Sequence, residues 1–442
     1  MPFKIVIVGT GIAGLGAAIA LADKGHNVTI VEATSQLQPI GGIIVLQANA
    51  SRVLDKLGVY QYFLATNAPT PFKRNTRRYK DGRLLIERHA EAYEKEYGYP
   101  LWPVYRADLQ QTLYQTAVER GVTLRLGCTV VGIDDNKHEN VTVVIKGGEE
   151  LEADVVVGAD GESERLFLGI KSTVRKYIFP NSISLRDSGM DVTRVNIPDS
   201  IVKSDPKTSI FMNQISSWYG PFATLAIIPV RRGDEWFLGL DCCHRRDDNS
   251  VEGGSRKRNI EKFREHFKDF APAVQKLLSY VKDAHVWRMA ETIPESWVSE
   301  SGRVVLIGDA AHAILPWVGQ GGGIALEDTV TLAECLDRAE LTQGIPKVLK
   351  AFQEIREPRC RLVQEWSAIK GKRATIPDGF EQVQRDKNFK AFNAWVKTKP
   401  WDGVHIDKLP ELESLDWKAW LNGHDAVGFA NRELDKRFPT CK

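Results

Sequence analysis

Two glycine-rich corners, each leading from an apolar strand into a helix, restrict what this chain can fold into. The first follows Phe3–Val8, a nearly all-apolar run of the kind that forms a central parallel strand buried on both faces. Gly9-Thr-Gly11-Ile-Ala-Gly14 then turns the chain into an alanine-rich helix that closes at Gly25. The second comes far downstream. Arg303-Val-Val-Leu-Ile307 reads as another buried strand, followed by Gly308-Asp309-Ala310-Ala311-His312, Pro316 and Gln320-Gly321-Gly322-Gly323. Ile324–Leu336 has helical apolar spacing. Such corners turn free backbone N–H groups and the positive end of a helix toward an anion. Two of them imply one long, doubly anionic ligand gripped at separate places.

The first corner has dinucleotide spacing. Gly9 allows the tight turn, Gly11 lets a pyrophosphate approach the backbone, and Gly14 lets helix and strand pack closely. Val28–Val31 reads as the second strand, and Glu32 at its end can accept hydrogen bonds from both hydroxyls of an adenosine ribose. No basic residue follows closely to take a 2′-phosphate, which argues against NADP in this site. NAD and FAD both fit this corner, and the second corner favours FAD. Asp309 would bond the ribityl or pyrophosphate region, and the N–H groups of Gly321–Gly323 would stabilise negative charge on a reduced flavin's pyrimidine edge.

The rest of the chain divides around these corners. Asn49 is expected to cap a short helix over 50–57, and 72–103 reads as hairpin-like, with Asp81-Gly82 as its turn. Arg106–Glu119 reads as a helix, with strands at 123–126, 141–145 and 154–157. Residues 171–288 are mostly strand-like and aromatic, with one helical segment around 258–280. The fold class is therefore α/β: a Rossmann-like FAD-binding domain (1–71, 104–170 and 289–345), an inserted mixed β-sheet substrate domain (72–103 and 171–288) and a C-terminal helical region (346–442). The formal net charge of +2 gives no electrostatic argument for nucleic acid. No apolar run is long enough to span a membrane, and no signal peptide precedes the first strand, so a cytoplasmic location is expected. The six cysteines show no CxxC pair, and no His/Cys/Asp cluster has metal spacing.

With these motifs the chain resembles the single-component FAD-dependent aromatic hydroxylases, in particular the salicylate-hydroxylase-like monooxygenases. The resemblance rests on Gly9–Gly14 with Glu32, on Gly41-Gly42-Ile43 through Leu54, and on Tyr105-Arg106-Ala107-Asp108-Leu109. It continues in Gly158-Ala-Asp160-Gly161, in 308–323 with Glu327-Asp328, and in Trp420-Leu-Asn-Gly-His424-Asp425-Ala426. It implies FAD contacts from Gly9, Gly11, Gly14, Glu32, Gly41, Gly42, Arg106, Val130, Asp160, Asp309, Gly321 and Gly322. NADH or NADPH would reduce the flavin. Oxygen, carried as a flavin hydroperoxide, would then hydroxylate or epoxidise an aromatic or polycyclic substrate, a chemistry suited to secondary metabolism. The protein would be a monomer or homodimer.

The resemblance also implies catalytic positions. Pro316 matches the proline beside the reactive edge of the flavin, which makes Trp317 a pocket residue. Thr193-Arg194-Val195 matches a strand whose arginine faces the flavin; Arg194 either orients substrate or is structural. Tyr219 and His244 in the inserted sheet could act as acid or base, or bond a phenol oxygen. His312 is expected to be structural. Departures from the family pattern fall at Glu164 and Phe167, with Ser163 and Arg165 out of register, and at Ile228 and Val45. The last two predict a more apolar pocket than a small-acid hydroxylase has. The Trp-x-Trp-x-Ile-Pro motif of flavin halogenases is absent. A flavin oxidase on this scaffold, or a binding protein like the GDP-dissociation inhibitors, is the remaining alternative, the latter disfavoured by the intact corner at 308–323.

Overall fold

The computed structural model describes residues 2–37, 42–66, 72–135, 140–161, 172–180, 185–246, 256–257, 259–283, 285–396 and 415–439. Gly41 and the segment holding Ser163, Glu164, Arg165 and Phe167 lie outside the described residues. Five parallel strands form one sheet, in the order Val304–Leu306, Val155–Gly158, Lys4–Val8, Asn27–Glu32 and Thr123–Leu126. The first strand of the chain is thus central, with Val6 opposite Thr29 on one side and Val156 on the other. Burial on both faces explains why its sequence does not alternate.

An eight-stranded sheet stands apart from the parallel one. Its order is Arg256–Lys257, His285–Thr292, Leu185–Pro198, Glu235–Arg245, Ala223–Arg232, Gln214–Gly220, Lys73–Arg78 and Leu84–Arg88. The hairpin turning at Gly82, whose φ is +69°, joins this sheet through a parallel pairing of Lys73–Arg78 with Gln214–Gly220. The helical segment around 258–280 is two helices, Ile260–Glu265 and Pro272–Ser279, and the second begins with a proline in its first turn. Adjacent Cys242 and Cys243 point to opposite faces, into different apolar clusters. Among the described residues no helix is long and apolar enough to cross a membrane.

Helix Gly321–Asp337 is buried almost all round, packed by helices Ile12–Asp23, Ala48–Lys56, Ile345–Ala374 and Ala426–Arg437. It nevertheless carries two fully buried acids, Glu327 and Asp328. Buried carboxylates persist only when paired. Arg356 bonds both, with Nη1 to Glu327 Oε2 at 2.8 Å and Nε to Asp328 Oδ1 at 2.8 Å. Arg359 donates to both oxygens of Glu327, at 2.7 and 2.8 Å. Burial alone would push the Glu327 carboxyl up, but Arg359 and Arg356 outweigh it and hold it well below the usual carboxylate range. Asn49 joins the network instead of capping its helix: the cap position is Gln47, and Asn49 Nδ2 donates to Glu327 Oε1 at 2.8 Å.

Arg356→Met removes the cation shared by two buried carboxylates. The expected result is a loss of ~3–5 kcal/mol of stability in urea denaturation of the FAD-free protein. A change below about 1 kcal/mol would show that Arg359 and His312 carry the charge balance without it.

Candidate active site

The adenosine end of the site is built by the first corner. Gly9 has φ +105°, and a Cβ there would lie 2.7 Å from Ala159 O; one on Gly14 would lie 2.0 Å from Gly9 O. These two positions therefore admit only glycine, and Gly11 caps the helix between them. Glu32 is held rather than free-swinging. One carboxylate oxygen accepts from Thr10 N at 3.0 Å and Thr10 Oγ1 at 2.9 Å, the other from Thr34 N at 2.9 Å and Thr34 Oγ1 at 3.0 Å. These four donors match the carboxylate's roughly four lone-pair sites, so a ribose hydroxyl would take the place of a threonine hydroxyl in this set. Val130 begins the strand Val130–Asp134 with its side chain in the main apolar core, so what it can present to a ligand is backbone.

The middle of the site is made by three segments that cross. Arg106 opens its helix, and its N–H reaches Gly42 O at 3.3 Å. Gly161 passes so close to the second corner that a Cβ would lie 2.0 Å from Ala310 N. Asp309, half-buried, opens the short helix behind it. Asp160 faces partly away from this crossing. Its carboxylate accepts from Ser172 Oγ at 2.5 Å and from Thr173 N at 2.6 Å, and so anchors helix Thr173–Ile178. No local sequence signal announces that bond.

The flavin end is the start of helix Gly321–Asp337. Its first backbone bond runs from Ile324 N to Gln320 O at 2.9 Å, so the N–H groups of Gly321–Gly323 precede the intrahelical ladder. A Cβ on Gly321 would meet nothing within 4 Å, which marks open space in front of that helix end. Gln320 and Asn49 exchange amide bonds at 2.9 and 3.2 Å, and Gln47 Nε2 donates to Val318 O at 2.7 Å. Pro316 starts a short 3₁₀ turn there. The Trp317 indole packs on Gly371 and shares an apolar cluster with Leu315, Val192 and Cys243. An acid for a ribose, two helix starts and the space at Gly321 together fit a flavin dinucleotide.

Side-chain packing brings the eight-stranded sheet to this end. A Cβ on Gly42 would lie 2.9 Å from Arg194 Cδ, and Arg194 Nε is 3.5 Å from Asp241 Oδ1 on the neighbouring strand. Burial raises the Asp241 carboxyl, and Arg194 opposes that rise. The register carries the same face across Asp241, Ala226 and Ser217, and two residues along each strand it includes Cys243, Ile228 and Tyr219. Tyr219 is buried beneath Phe389 and Arg385, and burial raises its phenol pKa. Val45 packs on the apolar cluster that holds Ile228, so the two apolar departures meet in one wall.

His244 is a correction. One residue past Cys243, it points to the opposite face, where it stacks on His266 at 4.1 Å and contacts Phe267. Strand alternation takes it out of the pocket. His312 lies behind the site: its Nε2 is 2.6 Å from Asp328 Oδ2. Burial pulls its pKa down, yet the Asp328 charge prevails and raises it well above the ordinary value. His312, Asp328 and Cys360 also place potential metal-ligand atoms within 4.8 Å of one another, a grouping that linear spacing did not suggest. Asp328 is already committed to His312, Arg356 and Gly308 N, and Arg356 Nη2 lies 3.8 Å from Cys360 Sγ. A guanidinium thus supplies the positive charge, and the trio reads as structural.

Residues 3–367 match the family described as FAD binding domain. Over 444 residues the chain is 29% identical to FAD-dependent monooxygenase OpS4 of Beauveria bassiana, covering 97% of each. It is also 29% identical, over 433 residues, to 3-amino-4-hydroxybenzoate 2-monooxygenase PtmB3 of Streptomyces platensis, covering 97% of this chain and 98% of that one. Among solved structures, CtdE in complex with FAD and substrate 4 superposes with a TM-score of 0.77 at 22% identity, over 98% of both chains. A salicylate hydroxylase substrate complex gives 0.76 at 22%, again over 98% of both. These structural likenesses show the fold, and the matched domain spans most of the chain. With the two corners and the crossing between them in place, the chain belongs to the FAD-binding family of FAD-dependent monooxygenases.

Proposed function

We propose that this enzyme uses NADH or NADPH, FAD and O₂ to hydroxylate an aromatic or other electron-rich ring. The observation that supports this most is the contact of Arg194 with Gly42, because it sets one face of the eight-stranded sheet against the flavin-side loop. A ring lying on that face is then next to the flavin. On this reading 72–103 and 171–288 form the substrate domain, and 1–71, 104–170 and 289–345 the FAD-binding domain. The name of OpS4 supports FAD-dependent oxygen insertion, and that of the aminohydroxybenzoate monooxygenase supports a small aromatic substrate.

When bound, FAD supplies hydride acceptance and oxygen activation. The chain's own residues position, polarise and exclude water. The N–H groups of Gly321–Gly323 would hold the flavin's pyrimidine edge and stabilise the negative charge that reduction puts there. Val45 and Ile228 offer an apolar wall for a ring, and Pro316 and Trp317 close the side near the helix start. Asp241 steadies Arg194, which orients the substrate. The Tyr219 phenol, kept protonated by burial, can donate to a substrate oxygen.

Purified protein is expected to be yellow. With an accepted phenol or aromatic acid it should oxidise NAD(P)H and place one atom of ¹⁸O₂ in the product; colourless protein that cannot be loaded with FAD would sink the reading. Gly321→Val should fold with an unchanged melting temperature when free of FAD. Its affinity for FAD should nevertheless fall by roughly tenfold or more, the cost of one or two lost hydrogen bonds. Arg194→Gln should keep the bound flavin and lose coupled product on the order of 100-fold, as misplacement of substrate does. Unchanged coupling would make Arg194 a packing residue.

A further inference from the structure

The cross-strand row that carries Arg194 is open where the rows beside it are not. Arg194 pairs with Asp241, Asp241 with Ala226, Ala226 with Ser217, and Ser217 with Thr76. All five are half-buried and lie on one face of the sheet. Two residues along, the row of Val192, Cys243, Thr224 and Tyr219 is buried, and on the other side so are Gly239 and Ile228. The covering elements explain the difference. Leu315 and Trp317 cluster with Val192 and Cys243, while Phe389 and Arg385 lie over Tyr219. On the other side a Cβ on Gly239 would lie 1.9 Å from Ile43 Cδ1, so the flavin-side strand Ile43–Leu46 rests directly on that row.

What remains between the turn at Pro316–Val318 and that strand is a trough, with Ala226 and Ser217 as a floor too small to fill it. Strands ~4.8 Å apart put Ser217 ~10 Å from Asp241, about the length of two or three fused rings. Asp241 stands at the flavin-side end with bonding capacity to spare. Its side chain is 23% exposed, and Arg194 Nε, at 3.5 Å, is too distant for a strong hydrogen bond. The guanidinium lies instead over Trp287, with Cζ 5.7 Å from the ring centroid. Among the described residues neither oxygen of the Asp241 carboxylate accepts a hydrogen bond. Burial raises this carboxyl, and the Arg194 charge acts against the rise. A carboxylate drawn out of water without donors costs the fold stability until a donor arrives.

We propose that this trough is the ring site and that Asp241 is its polar anchor, accepting a hydrogen bond from a neutral N–H or O–H on a flat, fused-ring substrate. This rests on the reading that the Arg194 face is the substrate side, and it deepens that reading by naming the size of the substrate and the group it carries. An ionised carboxylate only accepts, so a ring that offers no donor leaves Asp241 buried and unpaired. Ala226 gives the ring a small apolar surface to lie on, and the hydroxyls of Ser217 and Thr76 serve polar groups at its far end.

The test titrates FAD-loaded protein with 2-naphthol, its methyl ether and phenol, following the flavin absorbance band and, in parallel, calorimetry. Indole and 1-methylindole repeat the comparison for an N–H. In at least one pair the donor should bind about tenfold tighter or more than its methylated form, the worth of one hydrogen bond to a charged group. Asp241→Asn should erase most of that preference while the methylated ligand binds as before and the flavin band of the ligand-free protein is unchanged. Ala226→Val, which raises the floor, should weaken 2-naphthol by about tenfold or more and phenol far less. No preference in either pair, no binding of any bicyclic probe, or a preference that survives Asp241→Asn would overturn the anchor. Equal weakening of both members of a pair would make Asp241 a support of Arg194 alone, and a shifted flavin band in the ligand-free variant would set the carboxylate against the cofactor; each overturns the proposal. Phenol binding as tightly as 2-naphthol would overturn the fused ring. The preference is read without turnover, so failure of hydroxylation with the preference intact would count against the reaction and not the anchor.

Discussion

The geometry of the flavin end depends on one buried ion cluster. Glu327 and Asp328 sit on a helix whose first residues face the open space at Gly321, while their partners Arg356 and Arg359 belong to the next long helix. Asp328 also holds Gly308 N and His312, and Glu327 holds Asn49. One knot of charge thus fixes the helix start, the second corner and the flavin-side loop relative to one another. A buried pair is no cheaper than good apolar packing, so its value lies in direction. Guanidinium–carboxylate bonds tolerate little rotation, and a helix end must be aimed as well as placed if its N–H groups are to stabilise charge.

The substrate side follows a different rule, the two-residue period of a strand. That period separates Cys243 from His244, and so distinguishes a residue of the chamber from a residue of the outer core. It also unites residues far apart in the chain, from Arg74 through Ile228 to Arg194, on a single surface. The surface runs from the Arg194–Asp241 pair beside Gly42, past Ile228, to Arg74 opposite Arg88.

Most of the cofactor grip was legible from the sequence because its determinants are local. Gly9–Gly14, Glu32 and Gly321–Gly323 each express a turn, a strand end or a helix start within a few residues, and the fold class follows from them. What was not legible depends on partners remote in sequence. Asn49 looked like a cap, but its partners Gln320 and Glu327 lie on another helix. Asp160 read as a ligand contact, and its bond to Ser172 spans a stretch with no regular pattern. His244 lies on the face opposite Cys243, and the adjacent thiols Cys242 and Cys243 give no alternation from which a lone sequence could tell the two faces apart.

The parallel pairing of Lys73–Arg78 with Gln214–Gly220 has a consequence for how the chain is made. Neither sheet can close early: the hairpin waits for a strand near the middle of the chain, and the central first strand waits for Val155–Gly158, beside which Val304–Leu306 must still add. Contacts of such long separation make folding slow and leave apolar strands exposed during synthesis. The two halves of the enzyme are thus interleaved in time as well as in space, and neither can mature as an independent module ahead of the other.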